Sequence, residues 1–118
     1  MSERRKLAES RGRKGEALAA LYLRMKGWRI LDRRVKTPRG EVDIVAKRLD
    51  TVAFVEVKWR SKSTDLDSSV DEYRLRRVAA AAQAVAHRYA TSVQSIRIDV
   101  LLLAPGTWPR HIVNAWMP

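Results

Sequence analysis

The sequence predicts a single-domain α/β protein, and three observations support this prediction. Its 118 residues suit one hydrophobic core and leave little room for a second. Two segments have the 3.6-residue spacing of helices, and five others are short runs rich in β-branched residues, as in strands. These segments follow one another in the order α-β-β-β-α-β-β, with no internal repeat and no linker long enough to divide domains.

The first half of the chain contains one predicted helix and three predicted strands. The helix covers residues 6–26, ends at Gly27 and carries an apolar face made of Leu18, Leu21, Tyr22 and Met25. A strand at 28–35 and a turn at 37–40 follow. The runs 41–47 and 51–59 are separated by three residues and predict a hairpin.

The second half predicts a loop, a helix and two strands. Residues 60–69 are polar and predict a loop, after which Ser69 and Glu72 have the spacing of a capping box. The helix that they begin carries one apolar stripe, made of Leu75, Val78, Ala82, Val85 and Tyr89. Strands at 95–103 and 111–116 complete the order.

The charge balance indicates a polyanionic partner. Lys and Arg number 24 against 13 Asp and Glu, a net charge of +11 on a short chain. Residues 1–39 hold 13 of the basic residues and 4 of the acidic ones, and residues 1–14 form a basic N-terminal arm that includes Arg13 and Lys14. Such a field favours nucleic acid, with RNA as plausible as DNA on charge alone, although a basic solvated surface without a specific partner is the alternative.

Composition also restricts the chemistry and the location. There is no cysteine, so disulfides, thiolate metal sites and cysteine catalysis are excluded. With only two isolated histidines, His87 and His111, any metal is expected to be held by oxygen, as Mg²⁺ or Mn²⁺ is. The arm has no apolar core of a secretory signal, and no apolar run reaches the ~20 residues of a membrane span, so we expect a soluble, cytoplasmic protein with no membrane partner.

Charged residues inside the predicted hairpin form the candidate site. Asp43 stands between two β-branched residues, and strand alternation places Glu56 and Lys58 on one face. A two-residue turn at 49–50 puts Asp43 opposite Glu56, and a turn at 50–51 puts it opposite Lys58. In both registers the three side chains share a face, whereas a loop with an odd number of residues would separate them. On a shared face a divalent cation would relieve the repulsion between the carboxylates. The structural alternative is an exposed ion pair between Asp43 and Lys58.

Two further acids have expected roles. Glu16 begins the densest apolar stretch of the chain, where a carboxylate is costly unless it is paired or binds metal, although a first-turn acid favoured by the helix dipole is the simpler alternative. Asp99 lies in an apolar strand and is expected to be structural. Neither His87 nor His111 has a predicted partner for general-base catalysis.

An ordered set of motifs resembles a known family. Gly15-Glu16, Gly40-Glu41-Val42-Asp43 and Val55-Glu56-Val57-Lys58 are similar to the corresponding segments of the YraN-like family of bacterial proteins. That family is related to Holliday-junction resolvases and restriction-endonuclease-like nucleases, and the resemblance covers nearly the whole chain. It implies a restriction-endonuclease-like fold, a mixed five-stranded sheet flanked by helices.

The resemblance also implies roles for individual residues. Asp43 and Glu56 would be metal ligands, Lys58 would orient or activate the attacking water, and Glu16 would complete the metal site. Glu41 shares a face with Asp43 and has no assigned role. Where family members often carry lysine at the start of the second helix, this chain has a basic run suited to phosphate contact, made of Arg74, Arg76 and Arg77.

Three functions remain open at this point. The first is a Mg²⁺- or Mn²⁺-dependent endonuclease that hydrolyses phosphodiesters of DNA, with branched or damaged DNA as candidate substrates. The second is a nucleic-acid-binding protein that keeps the nuclease fold without catalysis, and the third is an RNA-binding accessory factor. Resolvase-like relatives often dimerise, so a homodimer is a further expectation.

Overall fold

Residues 15–59, 72–91 and 94–116 are described by the computed structural model. The first helix, α1, is described over residues 15–25. Strands β1 (Arg29–Thr37), β2 (Gly40–Arg48) and β3 (Thr51–Trp59) follow, then helix α2 (Glu72–Val85), a 3₁₀ turn (Ala86–Arg88), and strands β4 (Ser95–Leu103) and β5 (Arg110–Ile112). The order within these ranges is the predicted α-β-β-β-α-β-β.

The strands form one mixed sheet in the order β1-β2-β3-β4-β5. The first three make an antiparallel meander, whereas β3 and β4 are parallel and β5 returns antiparallel to β4. Parallel neighbours require a crossover connection, and α2 lies in the connection between β3 and β4. The predicted mixed α/β architecture with a five-stranded sheet is therefore confirmed for the described ranges.

The sheet is covered on both faces by apolar side chains. Val52 and Phe54 of β3 belong to the core beneath α2, whereas Ala53 and Val55 belong to the core beneath α1. This alternation is the two-residue period of a strand, and burial on both faces explains why β3 and β4 are almost continuously apolar. None of the helices in the described ranges is long and apolar enough to cross a membrane.

The packing of α1 corrects the predicted apolar face. Small residues and one leucine meet the sheet, namely Ala19, Ala20 and Leu23, all at most 1% exposed. Leu18, Leu21 and Met25 are instead 48%, 53% and 73% exposed. Alanines bring the helix axis close to the sheet, so the larger side chains remain on the outer side, where the periodicity alone does not distinguish them from core residues.

The predicted ends of the strands and of α2 agree with the structure in part. The bounds of β3 and β4 match the prediction, but β5 ends at Ile112 because residues 113–114 turn away. Helix α2 ends at Val85, so Tyr89 lies outside it, although its ring still packs 6.2 Å from that of Phe54. The predicted basic arm, the loop at 60–69 and the cap at Ser69 lie outside the described residues.

Candidate functional site

The hairpin between β2 and β3 has a closed end and an open end. At the closed end Arg48 pairs with Thr51, which makes residues 49–50 a two-residue turn and confirms the first of the two predicted registers. Pairing of β2 with β3 stops at Ile44 and Val55, whereas β3 stays paired with β4 as far as Trp59. Beyond Ile44, β2 therefore leaves β3 and opens a gap in the sheet.

A cavity of about 380 Å³ occupies this open end, on the α2 side. It is lined by the end of β2, by β3 and by α2, through Gly40, Glu41, Asp43, Glu56, Arg74, Arg77 and Val78. Two predicted metal ligands, Asp43 and Glu56, thus meet in one cavity. Lys58 is 9% exposed and lies two residues beyond Glu56, on the same face of β3 by strand alternation.

The side chain of Asp43 accepts a backbone hydrogen bond from β3 at the point where the β2–β3 ladder stops. Its Oδ2 accepts the backbone N–H of Val57 at 2.8 Å. Burial raises the pKa of Asp43 to about 6 against the opposing effect of this hydrogen bond, and the negative charges of Glu56, Glu16 and Glu41 raise it further. The local potential around Asp43 is consequently one that favours a cation.

Helix α2 supplies an ion-pair partner for Glu56. Its side chain is 3% exposed, and its Oε1 lies 2.9 Å from Nε of Arg74. Because the side chain of Arg74 is itself 59% exposed, a buried carboxylate is joined to a cation that reaches solvent. Arg77 also lines the cavity, whereas Arg76 is exposed on α2 outside the lining.

The negative charge of Glu16 is paired with arginines of β1, and Glu16 does not line the cavity. Its Oε2 and Oε1 accept from Nε of Arg34 at 2.9 and 3.1 Å, and Nε of Arg33 lies 3.9 Å from Oε1. Arg34 has a positive φ of 54° at the point where the β1–β2 register passes Asp43. Glu16 is therefore a buried, arginine-paired carboxylate close enough to influence Asp43.

The donor set bears on which metal would fit. Among residues 15–59, 72–91 and 94–116, no group of three or more Asp, Glu or His side chains is close enough to enclose an ion. Mg²⁺ commonly binds through one or two carboxylates and completes its coordination with water and substrate phosphate. The carboxylates of Asp43 and Glu56 fit that pattern, and they do not fit an all-protein cage.

A second buried charged cluster was missed by sequence reasoning. Asp99 is fully buried and accepts from Nε and Nη2 of Arg97 at 3.1 and 2.8 Å and from the Asn114 N–H at 2.9 Å, and His111 Nε2 lies 2.8 Å from its Oδ2. Burial alone would raise the pKa of Asp99, but the hydrogen bonds from His111, Arg97 and Asn114 hold it below its usual value. These contacts fit the structural role expected for Asp99, and they give His111 an acidic neighbour that the sequence did not reveal. The acid in the apolar strand was the available signal, but the pairing of β4 with β5 was needed to find its partner.

Arg13 and Lys14, which were predicted to contact nucleic acid, lie outside the described residues. The structure thus brings together Asp43, Glu56, Arg74 and Arg77, with Lys58 on the same face of β3 as Glu56. Glu16 is paired with arginines and is not part of the cavity lining.

Comparison with known proteins identifies the family. Residues 15–103 match the model of the uncharacterised protein family UPF0102. A UPF0102 protein of Erythrobacter litoralis is 64% identical over 115 residues, which cover 98% of this chain and 99% of the relative. UPF0102 proteins of Sphingopyxis alaskensis and Caulobacter sp. are 57% and 45% identical, over 97% and 89% of this chain and 98% and 76% of those relatives. The chain therefore belongs to family UPF0102, the YraN-like family that its motifs indicated.

Proposed function

We propose that this protein is a divalent-metal-dependent endonuclease of the restriction-endonuclease-like class, which hydrolyses phosphodiesters of DNA in the cavity at the open end of the hairpin. The observation that carries the proposal is the meeting of Asp43 and Glu56 in a cavity that arginines also line. A net charge of +11 supports a polyanionic substrate.

Each residue has a part that follows from its position. Asp43 and Glu56 would hold Mg²⁺ or Mn²⁺, an ion that supplies Lewis acidity and lowers the pKa of water. Lys58, on the same face as Glu56, would orient the attacking water and offset negative charge on the phosphate. Arg77 at the rim of the cavity would hold a neighbouring phosphate, and Arg74 would do so while restraining Glu56.

The topology supports the same class. An antiparallel hairpin opens at its acidic end, its second strand carries Glu-x-Lys, and a crossover containing a helix leads to a parallel neighbour. This combination resembles the nucleases named above. Metal ligands on two diverging strands leave room for a phosphate between the strands, which a continuous ladder would fill with backbone.

The test is a cleavage assay with supercoiled, linear and four-way-junction DNA in Mn²⁺ or Mg²⁺. Cleavage is expected from the unchanged protein and a loss of about a hundredfold or more from Asp43→Asn, Glu56→Gln and Lys58→Ala. Asp50→Asn is the matched control, because Asp50 is exposed at the closed end of the same hairpin. Equal cleavage by all variants would assign the activity to a contaminant and contradict the proposal.

A second candidate function is nucleic-acid binding without hydrolysis. It is favoured by the arginine partners of Glu56 and Glu16, which compensate these carboxylates without a metal. This alternative predicts that Asp43→Asn binds DNA as well as, or more tightly than, the unchanged protein, and that neither protein cleaves DNA even when Mn²⁺ or Mg²⁺ is present. Competition between structured RNA and DNA would decide which nucleic acid is preferred.

A further inference from the structure

A second cavity, of about 340 Å³, lies at the closed end of the hairpin. It is separate from the carboxylate cavity in two ways. Asp43 and Arg48 are five residues apart on β2, which is about 17 Å along a strand. Its wall includes Trp28, which belongs to the core beneath α1, so it opens on the face opposite to Glu56 and α2.

The lining of this second cavity is cationic. Lys26, Arg48 and Arg97 are the cations of the lining, the charge of Arg97 being paired with the buried Asp99, and none of the described lining residues is acidic. Thr51 adds a hydroxyl, and His111 adds an imidazole. Lys26 and Arg48 are exposed, so their charges are available to a ligand from solution.

Two of the lining groups are fixed by the buried Asp99. Arg97 uses Nε and Nη2 for this carboxylate, which leaves Nη1 outside the pair, and its guanidinium lies 5.3 Å from the centre of the Trp28 ring. His111 uses Nε2, which leaves Nδ1 outside the contact. Groups held in this way lose little side-chain entropy when a ligand binds, and Arg97 keeps N–H donors on Nη1 for that ligand.

We propose that this cavity binds a phosphate group, carried by a nucleic-acid strand or by a free mononucleotide. A planar guanidinium, two exposed cations and a hydroxyl around a concave site are the chemistry that recognises phosphate. The cavity is at the small end of the range for ligand pockets, which suits a phosphate with part of its ester group. The site does not depend on the proposed nuclease activity.

The experiment follows the ring signals of the two histidines by NMR during titration with inorganic phosphate at constant ionic strength in chloride. The shift is expected at His111, with His87, which is exposed on the 3₁₀ turn, as the internal reference. Titrations with a mononucleotide and with a short oligonucleotide then distinguish the two sources of the phosphate. The ligand that binds more tightly identifies the source.

Variants complete the test. Lys26→Ala with Arg48→Ala is expected to weaken phosphate binding about tenfold or more, because two charged contacts are removed without disturbing Asp99. Arg24→Ala with Arg88→Ala removes the same charge from exposed positions outside the cavity and is expected to change affinity less than about twofold.

Equal shifts at both histidines, or equal weakening by both double variants, would show that phosphate responds only to net charge and would overturn the proposal. Asp43→Asn is expected to leave this titration unchanged. The two proposals can fail separately. If the protein cleaves DNA but His111 does not respond to phosphate, only this inference is wrong; if His111 responds but DNA is not cleaved, only the proposed function is wrong.

Discussion

Asp43 is a carboxylate whose ionisation the fold opposes. Burial and three nearby glutamates raise its pKa from 3.8 to about 6. The unfolded chain loses this proton at a lower pH than the folded chain does, so the contribution of Asp43 to stability is full below about pH 4 and is lost as the pH rises through about 6. The residue is kept at a cost in stability when no cation is bound, as expected of a functional site.

Asp43→Asn is therefore expected to stabilise the metal-free protein at pH 8. The gain in the free energy of unfolding should be roughly 1–3 kcal/mol, because the amide keeps an acceptor for the Val57 N–H without the charge. Urea denaturation with a chelator at pH 8 and at pH 4 measures it. The gain should disappear at pH 4, and Asp50→Asn should show none at either pH.

Asp99 behaves in the opposite sense. Its pKa is held below the usual value, so its contribution to stability is present above the unfolded pKa and is lost as the pH falls through the folded value. Asp99→Asn should lower the free energy of unfolding by about 3 kcal/mol at pH 7, since it leaves the part-buried Arg97 without a counter-charge. Urea denaturation measures the loss, and a variant as stable as the parent protein would contradict the structural role.

At the scale of elements, the open end of the hairpin depends on a close approach between β2 and α2. A Cβ at Gly40 would lie 3.2 Å from the backbone oxygen of Arg77, and the φ of Gly40 is +153°. Glycine permits both the conformation and the contact. The close approach places the backbone of Arg77 beside Gly40, and both residues line the cavity.

Gly40→Ala should lower the free energy of unfolding by about 1–3 kcal/mol and shift the amide signals of Arg77 and its neighbours. Gly106→Ala is the comparison, because Gly106 also has a positive φ, of 71°, but no atom within 4 Å of the added Cβ. The loss of stability in Gly106→Ala therefore measures the cost of a positive φ without a steric contact. If the two variants lost equal stability and left Arg77 undisturbed, the close approach would have no energetic role.

The elements differ in how far the sequence could predict them. β3 and β4 were predicted with their observed bounds because each is a run rich in β-branched and apolar residues, interrupted by only two charged ones. The meeting of the two carboxylates of the candidate site, Asp43 and Glu56, followed from strand alternation and a short turn. By contrast, the outer face of α1 is as apolar as its inner face, and the contact of His111 with Asp99 depends on sheet pairing that no local pattern encodes.

At the scale of the whole molecule, the net charge of +11 and its position would determine how the proposed DNA substrate is held. Arg74 and Arg77 stand at the rim of the carboxylate cavity, so they keep phosphate attraction beside a locally negative site. Binding of DNA should therefore weaken steeply with salt. In the proposed nuclease the arginines would supply affinity for phosphate and the carboxylates would supply the chemistry.

Arg77→Ala should weaken DNA binding uniformly across sequences and reduce the slope of log K against log salt by about 1, the loss of one phosphate contact. Fluorescence anisotropy over a series of salt concentrations measures this slope. Arg24→Ala, an exposed position on α1 away from the cavity, is the control and should leave the slope nearly unchanged. Identical slopes for both variants would remove Arg77 from the interface.

The central claim is that Asp43 and Glu56 share one cation, and Mn²⁺ tests it directly because it broadens the NMR signals of nearby amides. Substoichiometric Mn²⁺ is expected to remove the amide signals of Asp43, Glu56 and Val57 before those of Asp50 or Asp99, and this selectivity should be lost in Asp43→Asn. Broadening spread evenly over the acidic residues, or no broadening at the open end of the hairpin, would contradict the account.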